Sequence, residues 1–261
     1  MNTPTNRSVK ALLVAVAGML ALTSGAPAFA ASRAQSVVPA TVKVKPLVIN
    51  PCANPAVTTV AAMNNTKYAA VIRVYAEPSD AKDPVVTLGV GIEIKGAPVF
   101  TVNRVEGDWM NVNVPMRPNG LTGWIKSAEV HTYSHKWAMR VELKAKKLTV
   151  CNAGRAVQTE KIAVGKPATP TPVGRCFTVE LVRPIGGSKG AYGPYAFGLS
   201  CFSNQIFQFA KTGDGRLGIH GTNAPGALGT AASSGCIRVG NTGITKMAKT
   251  LPLGVPVDIV D

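Results

Sequence analysis

From Tyr68 onward, apolar residues fall in short runs broken by turn-forming residues, with side chains alternating in and out over several of them. Runs at 69–75, 85–90, 91–94, 109–114 and 123–126 are too short and too closely punctuated for helices. They predict strands of a small barrel. A polar stretch over 130–135 then marks a boundary. Beyond it Met139, Val141 and Leu143 share one face, a Lys144-Ala-Lys-Lys147 turn follows, and the chain returns through Leu148 and Val150. That is the pattern of a hairpin. Further strands are expected at 156–164, 176–182, 196–202, 206–209 and 255–260. Helical spacing occurs once, where Ile244, Met247, Ala248 and Leu251 stand at i, i+3, i+4 and i+7, with Asn241 as the expected N-cap and Pro252 as the stop. The expected fold is mainly β: a small barrel over 67–133, then a β-rich domain over 134–261 with one short helix.

The N-terminal segment differs. Arg7 and Lys10 precede an apolar run from Ala11 to Leu22, and Ala28-Phe29-Ala30 supplies a small-residue cleavage site. This predicts a secretion signal over 1–30, cut near Ala30. The run is too short to span a bilayer, so no stable membrane span is expected afterwards. Residues 31–66, rich in Ala, Val, Pro and Thr without a helical period, are expected to be an arm.

Charge changes the picture less than it first promises. The chain of 261 residues has 28 Lys plus Arg against 13 Asp plus Glu, a formal net charge of +15. Removal of Arg7 and Lys10 with the signal leaves 15 − 2 = +13. The basic residues are scattered and lack an RNA-binding aromatic motif or zinc-finger spacing, so no nucleic-acid partner is expected. An exported basic monomer would instead meet anionic cell-wall polymers, outside the cytoplasm.

Export also frames Cys52, Cys151, Cys176, Cys201 and Cys236. An oxidising compartment favours disulfides, and an odd count leaves one thiol over. Cys52, Cys151, Cys176 and Cys201 allow three pairings, among which consecutive strand-like runs favour Cys176 with Cys201. No metal or cofactor is expected: His131 and His135 stand four apart with no further ligand nearby, and Gly186-Gly-Ser-Lys-Gly190 lacks phosphate-loop spacing. The carboxylates of the C-terminal half form no obvious glycosidase pair.

A cysteine and a histidine remain. His220 lies in Gly218-Ile-His-Gly-Thr222 at an expected strand end, and Cys236 follows in Ser233-Ser-Gly-Cys-Ile-Arg238. Such a pair suits acyl transfer: the imidazole takes the thiol proton, the sulfur attacks a carbonyl, and backbone amides of a small-residue loop receive the oxyanion.

These residues resemble the active-site motif of the L,D-transpeptidases, the YkuD-type catalytic domain. Val164-Gly-Lys-Pro-Ala-Thr-Pro-Thr-Pro-Val-Gly-Arg175 resembles a second stretch of that family, Tyr192-Gly-Pro-Tyr-Ala-Phe197 its cleft-facing strand, and Leu251–Val257 its closing strand. Residues 107–114 and 117–125 resemble a bacterial SH3-like module, so the expected small barrel at 67–133 is identified with that module. The resemblance implies Cys236 as nucleophile, His220 as base, the Gly221 carbonyl orienting the imidazole, and the amides of Gly235, Cys236 and Ser234 as oxyanion hole. Arg238 is expected either to contact a substrate carboxylate or to brace the loop. Where the family has His, this chain has Ser234. The implied activity is 3→3 cross-linking of peptidoglycan tetrapeptide stems through a cysteine acyl-enzyme, open to carbapenems. The alternatives are an L,D-carboxypeptidase of the same fold and a non-catalytic wall-binding protein.

Overall fold

The computed structural model describes Cys52 and residues 57–64, 70–89, 97–209 and 213–261. The expected secretion signal over 1–30, residues 31–51 of the expected arm and the expected strand at 91–94 lie outside the described residues.

The first half contains β1 (Thr58–Met63), β2 (Val71–Val74), β3 (Val86–Gly89), β4 (Val99–Glu106), β5 (Trp109–Asn113), β6 (Thr122–Lys126) and β7 (Val130–His135). Five of these form an antiparallel sheet in the order β6-β5-β4-β1-β7, and β2 pairs with β3 in a separate hairpin. A bridge between Tyr75 and Trp124 joins the hairpin to β6. Ile72, Leu88, Phe100, Val112 and Ile125 fill the space between them. Among the described residues, the pairings in this half do not close into the barrel expected from the sequence.

Two stretches without a strand signal are strands. β1 falls within the expected arm, because both of its faces are covered and it therefore lacks polar alternation. Ala61 and Met63 pack on the first core, whereas Val60 and Ala62 pack with Val99, Phe177 and Val179. β7 falls in the polar boundary stretch, since it is an edge strand whose outward residues meet solvent.

The second half comprises β8 (Trp137–Glu142), β9 (Lys147–Asn152), β10 (Arg155–Gly165), β11 (Gly174–Val182), β12 (Ala196–Phe202), β13 (Arg216–His220), β14 (Ala231–Ser233), β15 (Ile237–Val239), α1 (Asn241–Thr250) and β16 (Pro256–Val260). Here the sheet closes on itself. It runs β10-β15-β13-β12-β11-β16-β8-β9, and β9 pairs again with β10. The long β10 makes this possible by serving β9 with its first part, β15 at Ile162 and Ala163, and β14 at its end. Met139, Leu148, Ile162, Phe197, Leu199, Ile219, Ile237 and Ile259 fill the interior, and α1 packs Ile244 and Met247 onto them. The helix cap differs from expectation. Gly240 is the capping residue, and Asn241, the first residue of the helix, turns its side chain to a neighbouring loop. The run expected as a strand at 206–209 carries only a single bridge, between Phe209 and Gly213.

Two disulfides fasten this frame. Cys176 on β11 joins Cys201 on the adjacent β12, the pairing favoured by the strand-like runs, and Cys52 joins Cys151 on β9. Cys236 is the free thiol.

The first half also reaches into the second through Arg117. Its guanidinium donates to the carbonyls of Ser203, Ile206 and Asp214 at 2.9, 2.9 and 3.2 Å. It also lies over the rings of Phe202 and Phe207. Asn119 both donates to the Phe202 carbonyl and accepts from its amide. Hydrogen bonds from a charged donor are each worth about 1.5–3 kcal/mol, so Arg117→Ala is expected to lower stability by about 2–4 kcal/mol, a fall of about 5–10 °C in thermal midpoint. Arg117→Lys, lacking the planar fork, should recover less than half of that loss. An unchanged midpoint in a thermal melt of Arg117→Ala would show that the latch contributes nothing.

Candidate active site

Positions 218–220 and 236–238 become neighbours through the parallel pairing of β13 with β15, in which Ile219 stands opposite Ile237 and His220 opposite Arg238. Both strands are short and the two facing isoleucines are fully buried, so the pair is held from below by the core. The flanking residues, His220 and Cys236, open into a cleft of about 780 Å³, whose walls include Glu180, Tyr192, Ile206, Ser234 and Arg238.

The cysteine loop is set by glycine and by hydrogen bonds from a second loop. Gly235 has φ +117, a backbone conformation that residues with a Cβ avoid. Its carbonyl accepts from the Thr171 hydroxyl at 2.7 Å, and that hydroxyl in turn accepts from the Gly165 amide at 2.9 Å. Lys166 N–H donates to the Ser233 carbonyl at 2.9 Å. The Gly-Lys…Thr-Pro-Thr stretch is thus the brace of the cysteine loop. Ser233 closes the loop from inside, donating to the Cys236 carbonyl at 2.5 Å and accepting from the Gly235 amide at 3.1 Å. That contact corrects one expectation: the Gly235 amide is engaged within the loop and does not face the cleft as a spare donor.

His220 is only 4% exposed. Its Nδ1 lies 2.6 Å from the Gly221 carbonyl oxygen, so Nδ1 carries the proton and donates, leaving Nε2 as the basic nitrogen. The Gly221 amide donates to the Tyr195 carbonyl, and the next amide, of Thr222, donates to Asn241 Oδ1. Gly221 and Gly193 approach so closely that a Cβ on Gly221 would meet Gly193 Cα at 2.9 Å. Tyr192 covers the imidazole, ring centroids 4.7 Å apart; it belongs to a turn before β12 rather than to the strand itself. Neither Tyr192, Thr171, Ser233 nor Asn241 stood out as a site residue in the sequence. Thr171 and Tyr192 lay inside recognised motifs, and Asn241 was read as a cap.

The imidazole and the thiol are both held neutral. Burial, helped by the nearby Arg238 charge, lowers the His220 pKa to about 4 against the pull of the Gly221 hydrogen bond. Burial raises the Cys236 thiol, only partly offset by a hydrogen bond from Gly218 and by Arg238. The resting pair is therefore thiol and imidazole rather than thiolate and imidazolium. Arg238 pairs with no acid among the described residues, and its Nε is buried without a partner. A loop-bracing ion pair, one of its two expected roles, is absent there.

A model of the YkuD L,D-transpeptidase catalytic domain matches residues 136–259. A Bacillus subtilis protein named "Putative L,D-transpeptidase YkuD" is 34% identical over 127 residues, covering 49% of this chain and 68% of that protein. The chain belongs to the YkuD family of L,D-transpeptidase catalytic domains. The Bacillus licheniformis protein of the same name is 35% identical over 47% of this chain and 65% of its own length. Among solved structures, an L,D-transpeptidase from Mycobacterium smegmatis is 14% identical over 73% of this chain and 99% of its own, with a TM-score of 0.40. An Enterococcus faecium L,D-transpeptidase is 21% identical with a TM-score of 0.37, and the chain spans about half of it, 49%. The family match begins at β8 and leaves the first half outside it.

Two outcomes follow from the packing and charge of this YkuD-type site. Thr171→Val, nearly isosteric, should cost about 1–3 kcal/mol because the Gly165 amide and the Gly235 carbonyl lose their shared partner. Denaturant unfolding measures it. Cys236 should alkylate more slowly at neutral pH than a free thiol, with a rate still climbing past its ordinary pKa of 9.0. Iodoacetamide kinetics levelling off below that value would refute the neutral-thiol assignment.

Proposed function

We propose that the protein is a cysteine-dependent peptidoglycan L,D-transpeptidase, forming 3→3 cross-links through an acyl-enzyme on tetrapeptide stems. The observation that carries this reading is the pairing of β13 with β15, which brings a neutral imidazole and a free thiol to one cleft. As a donor stem binds, His220 Nε2 takes the Cys236 proton while the sulfur attacks the carbonyl of the L,D-peptide bond. The Gly221 carbonyl keeps the imidazole in the useful tautomer and steadies the imidazolium that forms. Burial opposes charge separation before attack, so the proton moves as the carbon–sulfur bond forms.

The developing oxyanion falls to the amides of Cys236 and Ser234, since that of Gly235 is already bonded. Loss of the family histidine at Ser234 leaves the backbone donor in place. The terminal D-Ala leaves with the proton returned by His220, and an amine of a second stem then takes the acyl group. Arg238, a cation without an acid partner, receives a stem carboxylate. Export through the segment ending at Ala30 and the +13 mature charge agree with work on an anionic wall.

Incubation of wild-type protein with a disaccharide-tetrapeptide, or with a carbapenem, should give an adduct on Cys236 by intact mass. Cys236→Ala should give none. Absence of any wild-type adduct, under conditions that label a control L,D-transpeptidase, would reject the reading. The pH dependence follows from the lowered His220 pKa: the imidazole stays unprotonated, and able to accept, down to about pH 4. Acylation should therefore persist through pH 5 and fall only as pH drops through about 4, rather than near the ordinary histidine value of 6.5. An acid limb centred near 6.5 in the acylation rate would show that burial does not set this base.

A further inference from the structure

The cleft contains a carboxylate that the steps above leave unused. Glu180 on β11 stands opposite Gly198 on β12, and Gly198 stands opposite Gly218 on β13. Directly opposed residues of antiparallel strands share a face. The two glycines therefore lay a floor without side chains across two strands, beginning at Glu180 and ending beneath the nucleophile. Each end is occupied. A Cβ at Gly198 would meet Glu180 Oε1 at 2.5 Å and Cδ at 3.0 Å, so the carboxylate lies over Gly198. A Cβ at Gly218 would lie 4.0 Å from the Cys236 sulfur. Opposed Cβ positions are about 5 Å apart, which puts carboxylate and sulfur within roughly 12 Å of each other.

Glu180 is half-buried, and one of its carboxylate oxygens lacks a partner. Its Oε2 is shut from solvent with no hydrogen-bond partner, and among the described residues no ion pair joins it to Arg183 or Arg238 of the same cleft. The other acid there, Asp214, already pairs with Arg216. A buried acceptor with no donor is costly, and a ligand that brings N–H groups and positive charge removes the cost.

We propose that Glu180 binds the primary ammonium of the acceptor and aims it at the acyl-enzyme. This rests on the acyl-transfer reading above. An ammonium about 2.8 Å from the carboxylate, a near-attack approach of about 3–3.5 Å and one carbon–sulfur bond together reach about 8 Å, so direct transfer requires the carboxylate to stand within about 8 Å of the sulfur, closer than the upper bound of roughly 12 Å. The ammonium passes one proton to Glu180, and the freed lone pair attacks the thioester carbon. The carbon–nitrogen bond forms as the carbon–sulfur bond breaks. The remaining excess proton on nitrogen moves through His220 to the departing sulfur, and Glu180 releases its own to solvent.

The test separates the two halves of the reaction. Protein acylated by a disaccharide-tetrapeptide is challenged with the amine-bearing stem, and cross-linked dimer is measured against hydrolysed donor. Glu180→Gln should lower that ratio about 10- to 100-fold, leaving the acylation rate and thermal midpoint close to wild type. Glu180→Asp should recover part of the ratio, and an acceptor with hydroxyl in place of the amine should be indifferent to Glu180→Gln. Gly198→Ala, which crowds the carboxylate, should lower the ratio in the same direction. An unchanged ratio in Glu180→Gln overturns the proposal while the acyl-transfer reading stands. Failure of wild-type protein to acylate removes both, and is recognised by the missing mass adduct.

Discussion

The pairing of β13 with β15 covers two residues on each strand, and the rest of the cleft is arranged around it. Ile219 and Ile237 anchor it in a core from which water is excluded, so the register cannot slip without turning an isoleucine to solvent. With the register fixed, His220 must lie beside Arg238 and Gly218 beneath Cys236. The closed sheet exists to hold these two short strands, which could not persist alone. β10 supports β15 and β14 along one length, and α1 seals the other side.

The same enclosure explains the electrostatics. A thiol and an imidazole placed in water would titrate near their ordinary values, but here burial moves one up and the other down. A permanent ion pair between them is thereby disfavoured. Arg238 tilts the balance toward thiolate and away from imidazolium without neutralising either group. The backbone supplies the remaining control: the Gly221 carbonyl sets the tautomer, and the Ser233 hydroxyl and Thr171 shape the loop. Much of this polar machinery uses backbone atoms, which is why so few charged residues are needed.

The first half of the described chain touches this centre from a distance. β1 lies between β4 and β7 yet turns Val60 and Ala62 toward Phe177 and Val179 of β11, the strand that also carries Glu180. Arg117 and Asn119 grip the chain after β12, where Ser203 and Ile206 form part of the cleft wall. One wall of the cleft is thus fixed by residues outside the segment that the family model matches.

The amino-acid sequence determined the β-rich character, the α-helix at 241–250 and the His220 and Cys236 motifs, because these depend on local periodicity and on short spacings. His220 and Cys236 stood out as a pair by residue type and spacing, whereas Gly221 and Arg238 were named through the resemblance. It also suggested Cys176 with Cys201, since neighbouring runs of strand character tend to pair. What depends on distant partners was not legible. β1 looked like an arm because burial on two sides leaves no alternation, and β14 and β15 are too short for any pattern. Asn241 looked like a cap until its side chain was seen bonded to the histidine loop. The Gly235 amide looked available until Ser233 claimed it. Glu180 stands 56 positions before Cys236 in the chain, and only the register across β11, β12 and β13 brings its carboxylate over a glycine floor toward the thiol. Local chemistry is written in residue types; which groups share a cleft is decided by strand pairing, a cooperative property of the whole closed sheet.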